Sequence, residues 1–308
     1  MTARKLVLIS PHGFCAGVER AVQIAEALLR STPKPVYCLK EIVHNRQIID
    51  SLAARGMVFV HDIHDVPRGA TVLFSAHGIP PSTRETARDL GLHTVDATCP
   101  FVTKVHHEVI RYATQGFSIL LIGHHQHDEI IGVAGEAPDR VTVIANDQEA
   151  RSVTVPDPEK VAVLTQTTLN VDEVSGVMSI LRSRFPHLQT PPSDDICYAT
   201  RNRQQAVRLF ARKADAIIVL GAENSSNSNR LVEVARAEGC SAYLASTFEK
   251  LEAIPLDGIH TLGITAGAST PESFVNDAIS RMKARGFETV EELSVVREDI
   301  HFPVPAVS

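Results

Sequence analysis

Tryptophan is absent, and aromatic residues make up only 5% of the 308 residues. Stacking platforms for single-stranded nucleic acid are hard to build from so few rings. Excess positive charge is absent too. Thirty Lys and Arg stand against 36 Asp and Glu, a net charge of −6, and no basic cluster stands out. That excludes a broad nucleic-acid or anionic-membrane surface. A small anion is still allowed, because neutral donors and helix N-termini can hold one. Long apolar runs are missing as well. The N-terminus reads MTARKLVLISPHG, and its apolar run Leu6–Ile9 is too short for a signal-peptide core. Ile119–Ile122 is typical of the longest runs, far short of a membrane span. The expectation is a cytoplasmic protein with no membrane and no nucleic-acid partner. There is no CxxC, HExxH, P-loop or GxGxxG pattern. Any electrons used must therefore come from a partner protein and not from a bound dinucleotide.

What is present is ordinary globular composition, 44% hydrophobic and 21% charged, long enough for two or three domains. Short β-branched runs alternate with amphipathic helical stripes. Leu6–Ile9, Val36–Leu39, Val58–Val60, Val72–Phe74, Ile119–Ile122, Val141–Ile144, Val161–Leu164, Ile217–Leu220 and Leu262–Ile264 read as strands. After Cys15, Val18, Ala21, Val22, Ala25, Leu28 and Leu29 mark one helical face. Strand–helix alternation of this kind predicts parallel α/β sheets.

A longer period lies over that alternation. Cys15, Cys99 and Cys197 each end a short segment and open an amphipathic helix, in GFCAGVERAV, ATCPFVTKVH and DICYATRNRQQAV. His44 follows Cys15 by 29 residues, His127 follows Cys99 by 28, and Ser226 follows Cys197 by 29. A polar turn comes third in each copy: SAHG with His77, TQTT with Thr167 and Thr168, TAGAS with Ser269. Ser82/Glu85, Asn170/Glu173 and Ser269/Glu272 have N-cap/N3 spacing. The phase predicts three similar α/β lobes around a pseudo-threefold axis, residues 15–98, 99–196 and 197–308. The N-terminal strand, within 1–14, should complete the third. Ligands in parallel sheets bind at the carboxyl ends of strands, where the cysteines would converge.

Five cysteines, an odd and scattered count, are expected to be thiols or metal ligands in a reduced compartment. A lone cysteine is usually a buried structural thiol. Cys38, in a strand, and Cys240, after a helix, read that way. Three in one phase of a repeat read as ligands. Two metals suit three thiolates: zinc with an open site for hydrolysis, or a [4Fe–4S] cluster with one iron left open. The spacing does not separate them.

The segments GFCAGVERA, VHN, SAHG, DATCP, VTKVH, TQTTL, DDICYAT, RQ, NSSNSNRL and TAGASTPE run in this order from residue 13 to 272. With them the sequence closely resembles the 4-hydroxy-3-methylbut-2-enyl diphosphate reductases, the LytB family. The resemblance implies an iron–sulphur oxidoreductase of isoprenoid biosynthesis, acting at the last step of the non-mevalonate pathway. It implies a three-lobed α/β fold with a [4Fe–4S] cluster at the centre on Cys15, Cys99 and Cys197, and one open iron site. It implies a ferredoxin- or flavodoxin-type electron donor. His44, His77, His127, Ser225, Ser226, Asn227 and Ser269 would hold the substrate diphosphate. A diphosphate would favour cationic histidines. Glu129 would supply the proton that lets hydroxide leave as water, with Thr167 relaying or orienting and Thr168 sharing that role.

The chain departs from the family's usual pattern at three places. Asp128 stands where proline is usual, Glu223 where lysine is usual, and His12 where arginine is frequent. Two other functions fit the same residues: a cluster-bearing redox sensor without turnover, and a zinc-thiolate hydrolase.

Overall fold

The computed structural model describes residues 4–305. In chain order the first elements are β1 (Lys5–Ser10), α1 (Ala16–Ser31), β2 (Val36–Leu39), α2 (Arg46–Ala54), β3 (Met57–Val60), β4 (Thr71–Phe74), α3 (Pro81–Asp89) and β5 (His93–Asp96). Next come α4 (Pro100–Thr114), β6 (Ser118–Ile122), α5 (Asp128–Ala134), β7 (Val141–Ile144), α6 (Asp147–Ser152), β8 (Val161–Thr165) and α7 (Val171–Arg184). The last are α8 (Tyr198–Ala211), β9 (Ala216–Leu220), α9 (Ser226–Ala237), β10 (Ser241–Ala245), α10 (Phe248–Glu252), β11 (Thr261–Ala266), α11 (Glu272–Ala284) and β12 (Thr289–Ser294).

These strands form three parallel sheets with one shared order: β3-β2-β4-β5, β7-β6-β8 and β10-β9-β11-β1-β12. In each, a central strand is flanked by the next strand on one side and by a later one on the other. The repeat read from the cysteines is thus a repeat of topology. β1 pairs with β11 and fills the place that β5 fills beside β4.

The middle sheet has no fourth strand. Only Gln189 takes that place, bridging Ala162. A strand, β5, precedes Cys99; before Cys197 the chain reads TPPSDD instead, and Pro191 and Pro192 have no N–H for a ladder.

Backbone contacts divide the chain into two compact units. One comprises the chain up to Ala16, His44–Ile48 and Tyr198–His301; it holds the five-stranded sheet. The other comprises Gly17–Val43, Ile49–Cys197 and the chain from Phe302; it holds both smaller sheets. In the first unit the sheet is covered on both faces. Leu6, Ile218, Ile264, Phe274 and Met282 pack on one side, and Ile9, Val207, Phe210, Val219 and Leu231 on the other. Near-continuous apolar strands such as AIIVL follow from burial on both faces.

The same unit buries a charge. Arg203 has no exposed side chain, yet it donates to the Ala199 and Gly13 carbonyls and pairs with Glu298 at 3.1 Å. The Gly13 and Glu298 bonds tie α8 to the loop before Cys15 and to the C-terminal segment.

Two helix starts differ from the sequence expectation. Asn170 caps α7, accepting from the Asp172 N–H. Ser82, however, lies inside α3, because Pro81 is pre-set for a first helical turn and starts the helix earlier. Ser269 precedes α11, whose N-cap is Pro271. Its hydroxyl donates instead to the His44 carbonyl, at 3.0 Å.

Candidate active site

The three cysteines occupy equivalent junctions. Each directly precedes a helix: α1, α4 or α8. Each backbone N–H donates to the carbonyl of the polar turn in its own sheet: Cys15 to Ala268 at 3.1 Å, Cys99 to Ala76 at 3.0 Å, Cys197 to Thr167 at 3.1 Å. Those turns are fixed in turn by Gly267, Ala76 and Gln166 N–H groups bonding Leu220, Ile42 and Ile122. A helix N-terminus favours anions, so the same backbone device places three sulphurs where negative charge is welcome. All three side chains are half-buried, and none of the five cysteines is in a disulfide. Cys38 and Cys240 are fully buried, and burial pushes both thiols up. That suits structural thiols.

The unit with the two smaller sheets carries the candidate acid. Glu129, in the first turn of α5, is only 2% exposed. Its two carboxyl oxygens accept from Thr167, one from the N–H at 2.7 Å and the other from the hydroxyl at 2.9 Å. Burial pushes its pKa up to about 7, although both Thr167 bonds pull it down and nearby Asp195 adds to the rise.

His127 is the N-cap of α5, its Nδ1 accepting from the Glu129 N–H at 3.1 Å. An accepting Nδ1 puts the ring proton on Nε2. His77 faces it edge-on, with ring centres 5.8 Å apart. Beside His127, the Asp128 carboxylate is paired with the Lys40 ammonium.

Sequence reasoning left several supporting residues without a role, although all lie inside the motifs that carried the resemblance. Gln166, fully buried, accepts from the His124 N–H at 3.1 Å and donates to the Thr168 hydroxyl at 3.0 Å. Asp195 accepts from the Thr165 N–H and from Lys104, both at 3.0 Å, while burial raises its pKa. The signal was the density of polar residues in VTKVH, TQTT and DDICYAT.

His106 is a further one. It donates from Nδ1 to Glu136 at 2.7 Å, Glu136 pairs with Arg84, and burial lowers the His106 pKa, so the ring stays neutral. Its Nε2 packs against Gly78, next to His77. Gly78 has φ +79°, and a Cβ there would lie 2.6 Å from that nitrogen. Gly132 of α5 meets the same backbone, its would-be Cβ 3.2 Å from the Gly78 carbonyl carbon. Two glycines thus let α5 and the His77 turn touch backbone to backbone. Gly78→Ala is expected to cost about 2 kcal/mol, a strained backbone plus a clash. Gly91→Ala, also at positive φ but with open space around it, should cost about 1 kcal/mol. Paired thermal melts measure the difference.

The other unit gathers the remaining candidates. Ser225 caps α9, its Oγ accepting from the Ser228 N–H. Ser226 and Asn227 open that helix and are buried. The Asn227 carbonyl oxygen accepts from the Ala268 N–H at 2.9 Å, joining the helix start to the turn that fixes Cys15. His44 Nδ1 lies 3.3 Å from the Asn224 amide. Glu223 pairs with Lys250, and His12 lies 3.0 Å from the Ser10 hydroxyl and 3.4 Å from the Glu272 carboxylate.

Residues 6–283 match the family model described as LytB protein. The chain belongs to the LytB family. Among its relatives is the 4-hydroxy-3-methylbut-2-enyl diphosphate reductase of Acidothermus cellulolyticus, 50% identical over 98% of this chain and 89% of that one. The enzyme of the same name from Mycolicibacterium vanbaalenii is 47% identical, covering 99% of this chain and 91% of its own. The solved structure of the E-1-hydroxy-2-methyl-but-2-enyl-4-diphosphate reductase from Plasmodium falciparum is similar with a TM-score of 0.93 at 36% identity. It covers 99% of this chain and 95% of that one. The α/β architecture with three small parallel sheets is therefore a LytB fold. Among the described residues, no helix is long and apolar enough to cross a membrane.

Proposed function

We propose that this LytB protein reduces 4-hydroxy-3-methylbut-2-enyl diphosphate to isopentenyl and dimethylallyl diphosphate, the terminal step of the non-mevalonate pathway. In balance, the allylic C–O bond breaks, two electrons and two protons enter, and water leaves. One proton joins the departing hydroxyl; the other goes to carbon at one end or the other of the allyl unit, which gives the two products. The observation that carries the reading is Glu129, a buried carboxyl whose pKa near 7 keeps it partly protonated at neutral pH. Its place in a family whose relatives bear that enzyme's name supports the rest.

The donor set fits an iron–sulphur cluster: three half-buried thiols at helix N-termini, while the two remaining cysteines are sealed in apolar core. Cys15, Cys99 and Cys197 would hold a [4Fe–4S] cluster. Bound there, the cluster supplies electrons one at a time and one Lewis-acidic iron with an open position. The electrons would come from a ferredoxin- or flavodoxin-type donor, in the cytoplasm.

The chain's own residues bind and protonate. His44, His77, His127, Ser225, Ser226, Asn227 and Ser269 would hold the diphosphate, with His127 donating from Nε2. Helix starts at α5 and α9 add partial positive charge. Glu129 would give its proton through the Thr167 hydroxyl, which can accept one proton while releasing another. Thr168, fixed by Gln166, would orient the substrate hydroxyl. We keep the lobe boundaries 15–98, 99–196 and 197–308 with 1–14 as part of the proposal, because each lobe then contains one sheet.

The test is an anaerobic assay of cluster-loaded protein with the hydroxymethylbutenyl diphosphate and a strong one-electron reductant. Formation of both products is expected. Full iron and sulphide content without product would move the protein to the sensor function, and zinc in place of iron would move it to the hydrolase.

A further inference from the structure

Lys40 is the only non-glycine residue with positive φ among the described residues, at +60°. It follows β2, and its N–H donates to the Val60 carbonyl at 2.7 Å. The equivalent residues after β6 and β9, Gly123 and Gly221, bond Ile144 and Ala245 in the same way without entering the left-handed region, so the strained φ belongs to Lys40 alone of the three. Lysine at left-handed φ is unfavourable where glycine is not. A local strain of this kind persists when the side chain does something glycine cannot. Here the side chain runs from the end of β2 to the first turn of α5 and pairs with Asp128. Asp128 is flanked by the His127 cap and by Glu129.

We propose that Lys40 is a positioning residue that neutralises Asp128, so that the His127 ring keeps an anion-accepting neighbourhood. Left alone, the Asp128 carboxylate would place a negative charge beside the ring that donates to the diphosphate. The Lys40 ammonium cancels that charge and fixes the carboxylate away from free rotation. Lys40 acts through Asp128 and not as a ligand of its own. The inference rests on the proposed reading of His127 as a diphosphate donor.

The test uses cluster-loaded protein and inorganic pyrophosphate, followed by calorimetry, with steady-state kinetics alongside. Lys40→Gly is expected to weaken pyrophosphate binding and raise KM about tenfold, with a smaller change in kcat, the size of one uncompensated charge at a half-exposed site. Its melting temperature should not fall, because glycine relieves the backbone. The Lys40→Gly/Asp128→Asn double variant should regain most of the binding, and Lys40→Arg should keep it. Binding by Lys40→Gly equal to wild type overturns the inference. So does a double variant as weak as Lys40→Gly, which would make Lys40 a direct ligand. Wild-type protein that turns substrate over but ignores these changes sinks the pair alone. Wild-type protein that binds no pyrophosphate sinks the His127 reading with it.

Discussion

Glu129→Gln should stop turnover while leaving the diphosphate bound. Glutamine has nearly the same shape and can accept one Thr167 bond through its carbonyl oxygen, but it has no acidic proton to give. General acids of this kind contribute about 10²- to 10⁴-fold, and kcat should fall by that factor with pyrophosphate affinity little changed. The pH dependence carries the same signature. A carboxyl raised to about 7 is protonated below that pH and ionised above it, so wild-type turnover should decline as pH rises through 7. In Glu129→Gln the residual rate should lose that limb. Because the Thr167 hydroxyl bond lowers the Glu129 pKa, Thr167→Ala should move the limb upward, while Thr167→Ser should leave it in place. Stability follows the same sign. A native-state pKa raised above the unfolded value favours folding at low pH, and that contribution is lost as pH rises from the unfolded value through 7. A Glu129→Gln protein with normal kcat and an unchanged basic limb would remove Glu129 from the mechanism.

Much of this was legible in the sequence because it repeats. Cys15, Cys99 and Cys197 stood out by phase, and the same phase appears as one strand order and one N–H to carbonyl bond in all three sheets. β12 was not legible. TVEELS is an edge strand with mostly exposed side chains, so it carries no apolar run; what fixes it is its parallel pairing with β1, nearly the whole chain length away. Arg203 and Glu298 could not be matched for a similar reason, being 95 residues apart. Ser269 was misread because cap spacing is local information, and its hydroxyl is spent on a distant carbonyl. Asp128 was legible as a departure, but its consequence was not. The neutralising Lys40 lies 88 residues earlier, just after β2, and only folding shows the pair. In each case the signal that failed was a contact between segments far apart in the chain, while the signal that held was a pattern the chain states three times.

Cys15→Ser, Cys99→Ser and Cys197→Ser should each abolish turnover and strip iron and acid-labile sulphide from the protein, with Cys38→Ala and Cys240→Ala as controls. The argument is positional. The first three share a helix start, a fixed backbone N–H and a half-buried side chain; the controls share only deep burial. Soft thiolates select iron–sulphur clusters, and a serine hydroxyl is a harder, weaker donor. No other cysteine can substitute, because Cys38 lies inside β2 and Cys240 lies under α9 and against the Ala214 carbonyl. The controls lose one buried sulphur each, and a destabilisation of about 1 kcal/mol is the usual scale for so small a core deletion. They should therefore melt slightly lower while keeping iron and rate. The three ligand variants should show the reverse: little change in the apo-protein's melting temperature, because a serine Oγ replaces Sγ at a half-exposed site, and no cluster. Equal iron in Cys15→Ser and wild type would break the threefold assignment at its first member. Loss of iron in Cys38→Ala would show that the repeat misled us about which sulphurs bind.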